Sequence, residues 1–182
     1  MDVRLFIAIN FNEEIKDKLS DIMQRLKKVA LKGKFTHREN LHLTVVFIGE
    51  VAPEKISSVK AAMDKLDVES FMLSINDLGS FKRDGGDIYW IGVGKNNTLS
   101  SINDQLFTEL VKAGFRIEKR EYKPHLTLGR QVVVDDNFDR NRFSKSIPAM
   151  KMEVKKISLM KSERINGKLT YTEIFSKTLE RY

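Results

Sequence analysis

His37, His42 and His125 are the three histidines of a 182-residue chain, and two of them sit in near-copies of one setting. His42 opens the run His42-Leu43-Thr44-Val45-Val46-Phe47-Ile48-Gly49, and His125 opens His125-Leu126-Thr127-Leu128-Gly129, 83 residues further on. In each, an imidazole is followed two positions later by a threonine, among apolar, strand-forming neighbours. Residues i and i+2 of a strand emerge on one face, about 7 Å apart along the backbone. An imidazole with a reference pKa of about 6.5 gives or takes a proton near neutrality, and a hydroxyl donates to a phosphoryl oxygen. Two such pairs facing each other would hold a phosphate between two hydroxyls with an imidazole on either side. In-line displacement at phosphorus needs that arrangement, a base on the attacking oxygen and an acid on the leaving one. One His-x-Thr alone is ordinarily structural; two copies that use two of three histidines point to function. His37 has no threonine partner and reads as a surface histidine in the polar run Thr36-His37-Arg38-Glu39-Asn40.

Other chemistries are excluded or unsupported. With no cysteine there is no disulfide framework, thiolate metal site or cysteine nucleophile. Walker, dinucleotide-binding, zinc-protease and serine-hydrolase motifs are all missing. Asp84-Gly85-Gly86-Asp87 reads as a turn, and three histidines at these spacings advertise no zinc site, so no metal and no cofactor are expected. The net charge of +7 and pI near 9.5 favour anionic partners. Lys27-Lys28, residues 32–34, Lys119-Arg120 and residues 140–145 are basic stretches, mostly solvated surface, a few of them available to an anionic partner. No secretory signal or membrane-length apolar run is visible, so a soluble, cytoplasmic protein is expected.

These motifs need elements to position them. Strands are expected over residues 3–9, 41–48, 71–78, 88–93 and 125–134, with Asp84-Gly85-Gly86 turning between the third and fourth. Asn12 reads as the N-cap of a helix running to about Ala30, with Ile15, Leu19, Ile22, Met23 and Leu26 at helical spacing. A second helix starts near Pro53 and ends near Leu66. Thr98 or Ser100 caps a third, which carries Ile102, Leu106, Phe107 and Leu110 and closes at Gly114. After a loop rich in Asn, Asp and Arg, residues 151–160 and 169–178 form a hairpin across Asn166-Gly167. The hairpins break any strict βαβ rhythm, so the expectation is α+β, with two sheets backed by helices. No Pro- or Ser-rich linker divides the chain, and residues 1–182 read as one domain of two lobes.

At these residues the chain resembles the two-histidine (2H) phosphoesterase superfamily, and within it the LigT-like RNA 2',3'-cyclic phosphodiesterases, once described as 2'-5' RNA ligases. The likeness extends over Arg4-Leu5-Phe6-Ile7-Ala8-Ile9, Glu39-Asn40-Leu41-His42-Leu43-Thr44, Phe47-Ile48-Gly49-Glu50, Tyr89-Trp90-Ile91-Gly92-Val93 and Pro124-His125-Leu126-Thr127-Leu128-Gly129-Arg130. Val45 stands where leucine is common, a conservative change. The resemblance implies a bilobal fold with a central groove between pseudo-symmetric lobes. It implies that His42 is the general acid and His125 the general base, with Thr44 and Thr127 on the non-bridging oxygens. The substrate it implies is RNA ending in a 2',3'-cyclic phosphate, hydrolysed without metal to a 2'-phosphate by a monomer. Arg130 would supply positive charge to the phosphate, yet strict alternation puts it on the face opposite His125 unless a bulge or the strand's end brings it round. Phe6 either lines the groove or belongs to the core. The alternatives are 2'-5' RNA ligase or 2'-5' phosphodiesterase activity, small cyclic nucleotides or an ADP-ribose cyclic phosphate as substrate, and a non-catalytic RNA-binding module.

Overall fold

The structure, a computed structural model, describes residues 1–180. Nine strands, four α-helices and two short 3-10 turns follow one another among them. In order they are β1 (Val3–Asn10), α1 (Glu13–Val29), β2 (Ala30–Phe35), the turn Arg38–Asn40, β3 (His42–Val51), the turn Pro53–Lys55 and α2 (Ile56–Asp64). Then come β4 (Phe71–Phe81), β5 (Asp87–Val93), α3 (Asn97–Lys112), β6 (His125–Val134), α4 (Arg140–Lys145), β7 (Met150–Val154), β8 (Lys156–Ile165) and β9 (Lys168–Thr178).

Two antiparallel sheets result, a four-stranded one ordered β3-β1-β8-β9 and a five-stranded one ordered β2-β6-β5-β4-β7. The motif strands β3 and β6 occupy matching places, each beside a strand of its own half (β1 or β5) and then a strand lent by the other half (β8 or β4). This exchange interlocks the halves, and β3 and β6 approach each other where the sheets meet. On β1, Leu5, Ile7 and Ile9 face the main core; Phe6, Ala8 and Met160 form a separate small cluster on the other face.

The helices form where periodicity and caps agree. On α1, Ile15, Leu19, Ile22, Met23 and Leu26 are buried, and Asn12 accepts a 2.9 Å hydrogen bond from the Ile15 amide. Glu13 and Glu14 in its first turn, and Lys27 and Lys28 in its last, match the helix dipole. Helix α3 closes at Gly114, whose φ of 88° suits glycine, with Phe115 N bonding Leu110 O and Gly114 N bonding Val111 O. Its N-cap is Asn96 rather than Thr98 or Ser100: the Asn96 side chain accepts from Leu99 N and also donates to Met72 O, anchoring the helix start to β4.

Three further differences from expectation have local causes. The strand expected over residues 151–160 is two strands, because the chain crosses between sheets at Lys155; β7 pairs with β4 and β8 with β1. Strand β2 is a short, mostly exposed edge strand that follows α1 without a break, and pairing with β6 makes it a strand. The polar loop contains α4, a six-residue helix capped by Asp139 and packed on β4, where Ser144 Oγ accepts from Leu78 N. No helix among the described residues is long and apolar enough to cross a membrane.

Candidate active site

His42 and His125 are the first residues of β3 and β6, and the backbone orients both rings alike. His42 Nδ1 lies 2.7 Å from Asn40 O and His125 Nδ1 lies 2.6 Å from Lys123 O. A carbonyl only accepts, so each Nδ1 carries the hydrogen and each Nε2 is left for chemistry. Asn40 is itself fixed, being buried and donating through its side chain to Leu169 O at 2.9 Å. Thr44 Oγ1 sits 2.9 Å from His42 Nε2, so hydroxyl and imidazole share one face and already touch. Thr127 is half-buried on β6 two positions beyond His125. His37 is exposed, as its polar surroundings suggest.

Each histidine stands in an aromatic corner. Around His42 the ring of Phe6 lies 4.9 Å away and that of Tyr171 meets it edge-on at 5.2 Å. Around His125, Phe81 meets the imidazole edge-on at 5.1 Å and Trp90 lies at 6.1 Å. Trp90 fits because Gly79 has no side chain; a Cβ there would fall 2.1 Å from the indole Cη2. Phe6 is 4% exposed and belongs to the small cluster with Ala8 and Met160, so it forms the floor under His42 and stands apart from the main core.

A bulge settles the position of Arg130. On β6, Thr127 pairs with Trp90 and Gly129 with Tyr89, so two steps on one strand match one on the other and Leu128 is the extra residue. Alternation restarts there: buried Gly129 turns with Tyr89 to the core, and exposed Arg130 turns to the face of His125. Strand β3 does the same, with Val45 extra between Thr44, paired to Ala8, and Val46, paired to Ile7. Burial holds the His42 imidazole below its ordinary pKa, against the raising effect of its bond to Asn40, and the charges of His125 and Arg130 push the same way. Burial raises the Tyr171 phenol while Arg130 and Arg4 oppose that rise. Arg130 therefore acts on groups of the opposite sheet.

The structure puts Phe6 and Thr44 against the His42 ring and brings His125 and Arg130 within electrostatic reach of it, with Thr127 two positions beyond His125 on β6. Sequence reasoning missed Tyr171, Phe81, Tyr122 and Asn40 as parts of this site, and took Trp90 only as part of a strand. Trp90 alone had a readable signal, as the single tryptophan in a strand. Tyr171 comes from β9 and no local spacing relates it to His42. Among the described residues, no group of three or more His, Asp or Glu is placed to hold a metal ion.

The family model described as LigT like Phosphoesterase matches residues 9–89 and again 91–171, one half and one motif each time. The chain belongs to this family of phosphoesterases. Among its relatives, an RNA 2',3'-cyclic phosphodiesterase of Methanothermobacter thermautotrophicus is 34% identical, the alignment covering 96% of this chain and 97% of that one. Another, from Methanocaldococcus jannaschii, is 35% identical over 88% of this chain and 91% of its own length. The crystal structure of E. coli LigT complexed with 3'-AMP has the same fold, with a TM-score of 0.82, 23% identity and all of both chains covered.

Proposed function

We propose that this chain is an RNA 2',3'-cyclic phosphodiesterase working by two-histidine acid–base catalysis. The observation that carries it is the matched pair of imidazoles, each with Nδ1 tied to a carbonyl and a threonine two positions on, the Thr44 hydroxyl lying against His42 Nε2. In this reading His125 Nε2 takes a proton from water as the water oxygen bonds to phosphorus. The bond from phosphorus to the ribose 3' oxygen breaks, and His42 Nε2 protonates that oxygen. The product is RNA with a 2'-phosphate and a free 3'-hydroxyl, and solvent returns the protons. Thr44 and Thr127 donate to the non-bridging oxygens, with Arg130 supplying the countercharge. Because burial keeps free His42 largely neutral, the proton it donates is taken up when the anionic phosphate arrives.

The names of the relatives support RNA as the substrate, and the 3'-AMP held by LigT supports a ribonucleotide groove. Both motifs lie on one chain, so the pair is complete in a monomer, and this reading places the protein in the cytoplasm. The test is incubation of pure protein with a short RNA ending in a 2',3'-cyclic phosphate, in EDTA, followed by mapping of the product end. A 2'-phosphate is expected. A 3'-phosphate, an inert protein, or activity that returns only with Mn²⁺ or Zn²⁺ overturns the reading.

A further inference from the structure

Each motif threonine has its backbone carbonyl held by a hydroxyl from the segment that leads into the other motif. Tyr122, three residues before His125, donates to Thr44 O at 2.9 Å. Thr36, six residues before His42, donates through Oγ1 to Thr127 O at 2.9 Å, while its amide donates to Leu128 O. The reciprocity spans the chain: 78 residues separate one pair and 91 the other. We infer that Tyr122 and Thr36 are positioning residues that set the separation of the two His-x-Thr pairs across the groove.

The geometry explains why the Tyr122 strut is needed. Strand β3 is the edge of its sheet, so carbonyls along its free side have no strand to bond. The bulge at Val45 further loosens the ladder beside Thr44. Donors come from elsewhere instead: Tyr122 at Thr44 O, and Asn103 of α3 at Val45 O, 2.8 Å away. Lys123, next to Tyr122, carries the carbonyl that orients His125. The segment 122–125 therefore grips Thr44 with one residue and aims His125 with the next. In-line displacement needs acid and base at a fixed separation, and misplacement by about 1 Å can cost on the order of a hundredfold in rate. Burial keeps the Tyr122 phenol protonated far above neutrality, so it stays a donor throughout the working range. Thr36 shares its task with its own amide, so Tyr122 is the more exposed of the two struts to mutation.

This inference rests on the proposed activity, and its experiment separates the two. Tyr122→Phe keeps the ring and loses the donor; kcat should fall about tenfold with KM changed less than about threefold. Thr36→Val should cost less, and Thr36→Ser should restore full rate because it keeps the hydroxyl. Tyr122→Phe combined with Thr44→Ala should fall short of additivity, whereas combination with Thr127→Ala should be additive. Imidazole NMR needs no turnover: in Tyr122→Phe the His42 ring signals should move while those of His37 stay. A lowered Tm with unchanged kcat, additivity with Thr44→Ala, or an unmoved His42 signal overturns the inference. A wild-type protein inert on the cyclic phosphate overturns the activity instead, and the NMR result still decides the struts.

Discussion

His42 and His125 are alike in backbone setting but not in surroundings, and that asymmetry shapes how each behaves. Replacing either by alanine should lower the rate on a cyclic-phosphate RNA by on the order of 10²–10⁴, measured at saturating and limiting substrate. Thr44→Ala and Thr127→Ala should cost less, and Thr→Ser least, since a hydroxyl is kept. The pH profile should show the asymmetry directly. A general acid must hold its proton, so the rate falls as pH rises through the His42 pKa, which burial sets below the ordinary imidazole value in the free protein. A bound anion raises that pKa. The alkaline limb of kcat should therefore lie at higher pH than that of kcat/KM, both limbs being apparent values of the coupled pair. Coincident limbs would contradict proton uptake on binding. Stability follows with the opposite proton sense. A His42 pKa lower in the folded state favours folding above about 6.5, the unfolded value, and that contribution is lost as pH falls through the folded pKa.

At the scale of the element, the bulges at Val45 and Leu128 decide which side chains reach the site. Without the extra residue Arg130 would turn to the core and Gly129 to the groove, as simple alternation along His125–Val134 implies. Arg130→Ala should therefore weaken substrate binding, raising KM more than it lowers kcat. Gly79→Ala tests a second device of the sheet. The added Cβ would press on the Trp90 indole, which stands beside His125, so a loss of about 1–3 kcal/mol in stability is expected together with a fall in kcat. A variant with wild-type Tm and rate would mean that Trp90 has room to shift without disturbing the imidazole. Helix α1 was legible because five apolar residues and an asparagine cap agree. Strand β2 was not, because it is six residues long, follows α1 without a break and has Gly33 between two lysines, so its strand conformation comes from pairing with β6.

For the whole molecule, the net charge of +7 predicts how the proposed RNA substrate responds to salt. Lysine and arginine contacts to phosphates release counterions, so affinity for an oligonucleotide should fall steeply with salt. A mononucleotide cyclic phosphate meets fewer basic groups and should show a shallower slope in the same titration. Equal slopes would remove the case for RNA contacts beyond the reacting phosphate. The exchange of β4 and β8 between sheets bears on the site as well, since each motif strand lies in a sheet that both halves of the chain complete.

The proposed chemistry was legible in the amino-acid sequence. Two histidines, each with a threonine two positions on, in strands of alternating character, mark the candidate reacting groups because a strand's period of two needs no tertiary information. The sequence also determined most helices, through apolar spacing and caps that act within a few residues. Tertiary structure alone decided which way Arg130 faces, because a bulge depends on the register of a partner strand. It decided that Tyr171 and Phe81 flank the imidazoles and that Tyr122 and Thr36 hold the opposite motif, since those contacts join residues far apart along the chain. It also decided that His42 is buried enough to lose its proton easily, because burial is a property of everything packed around a residue rather than of its neighbours in sequence.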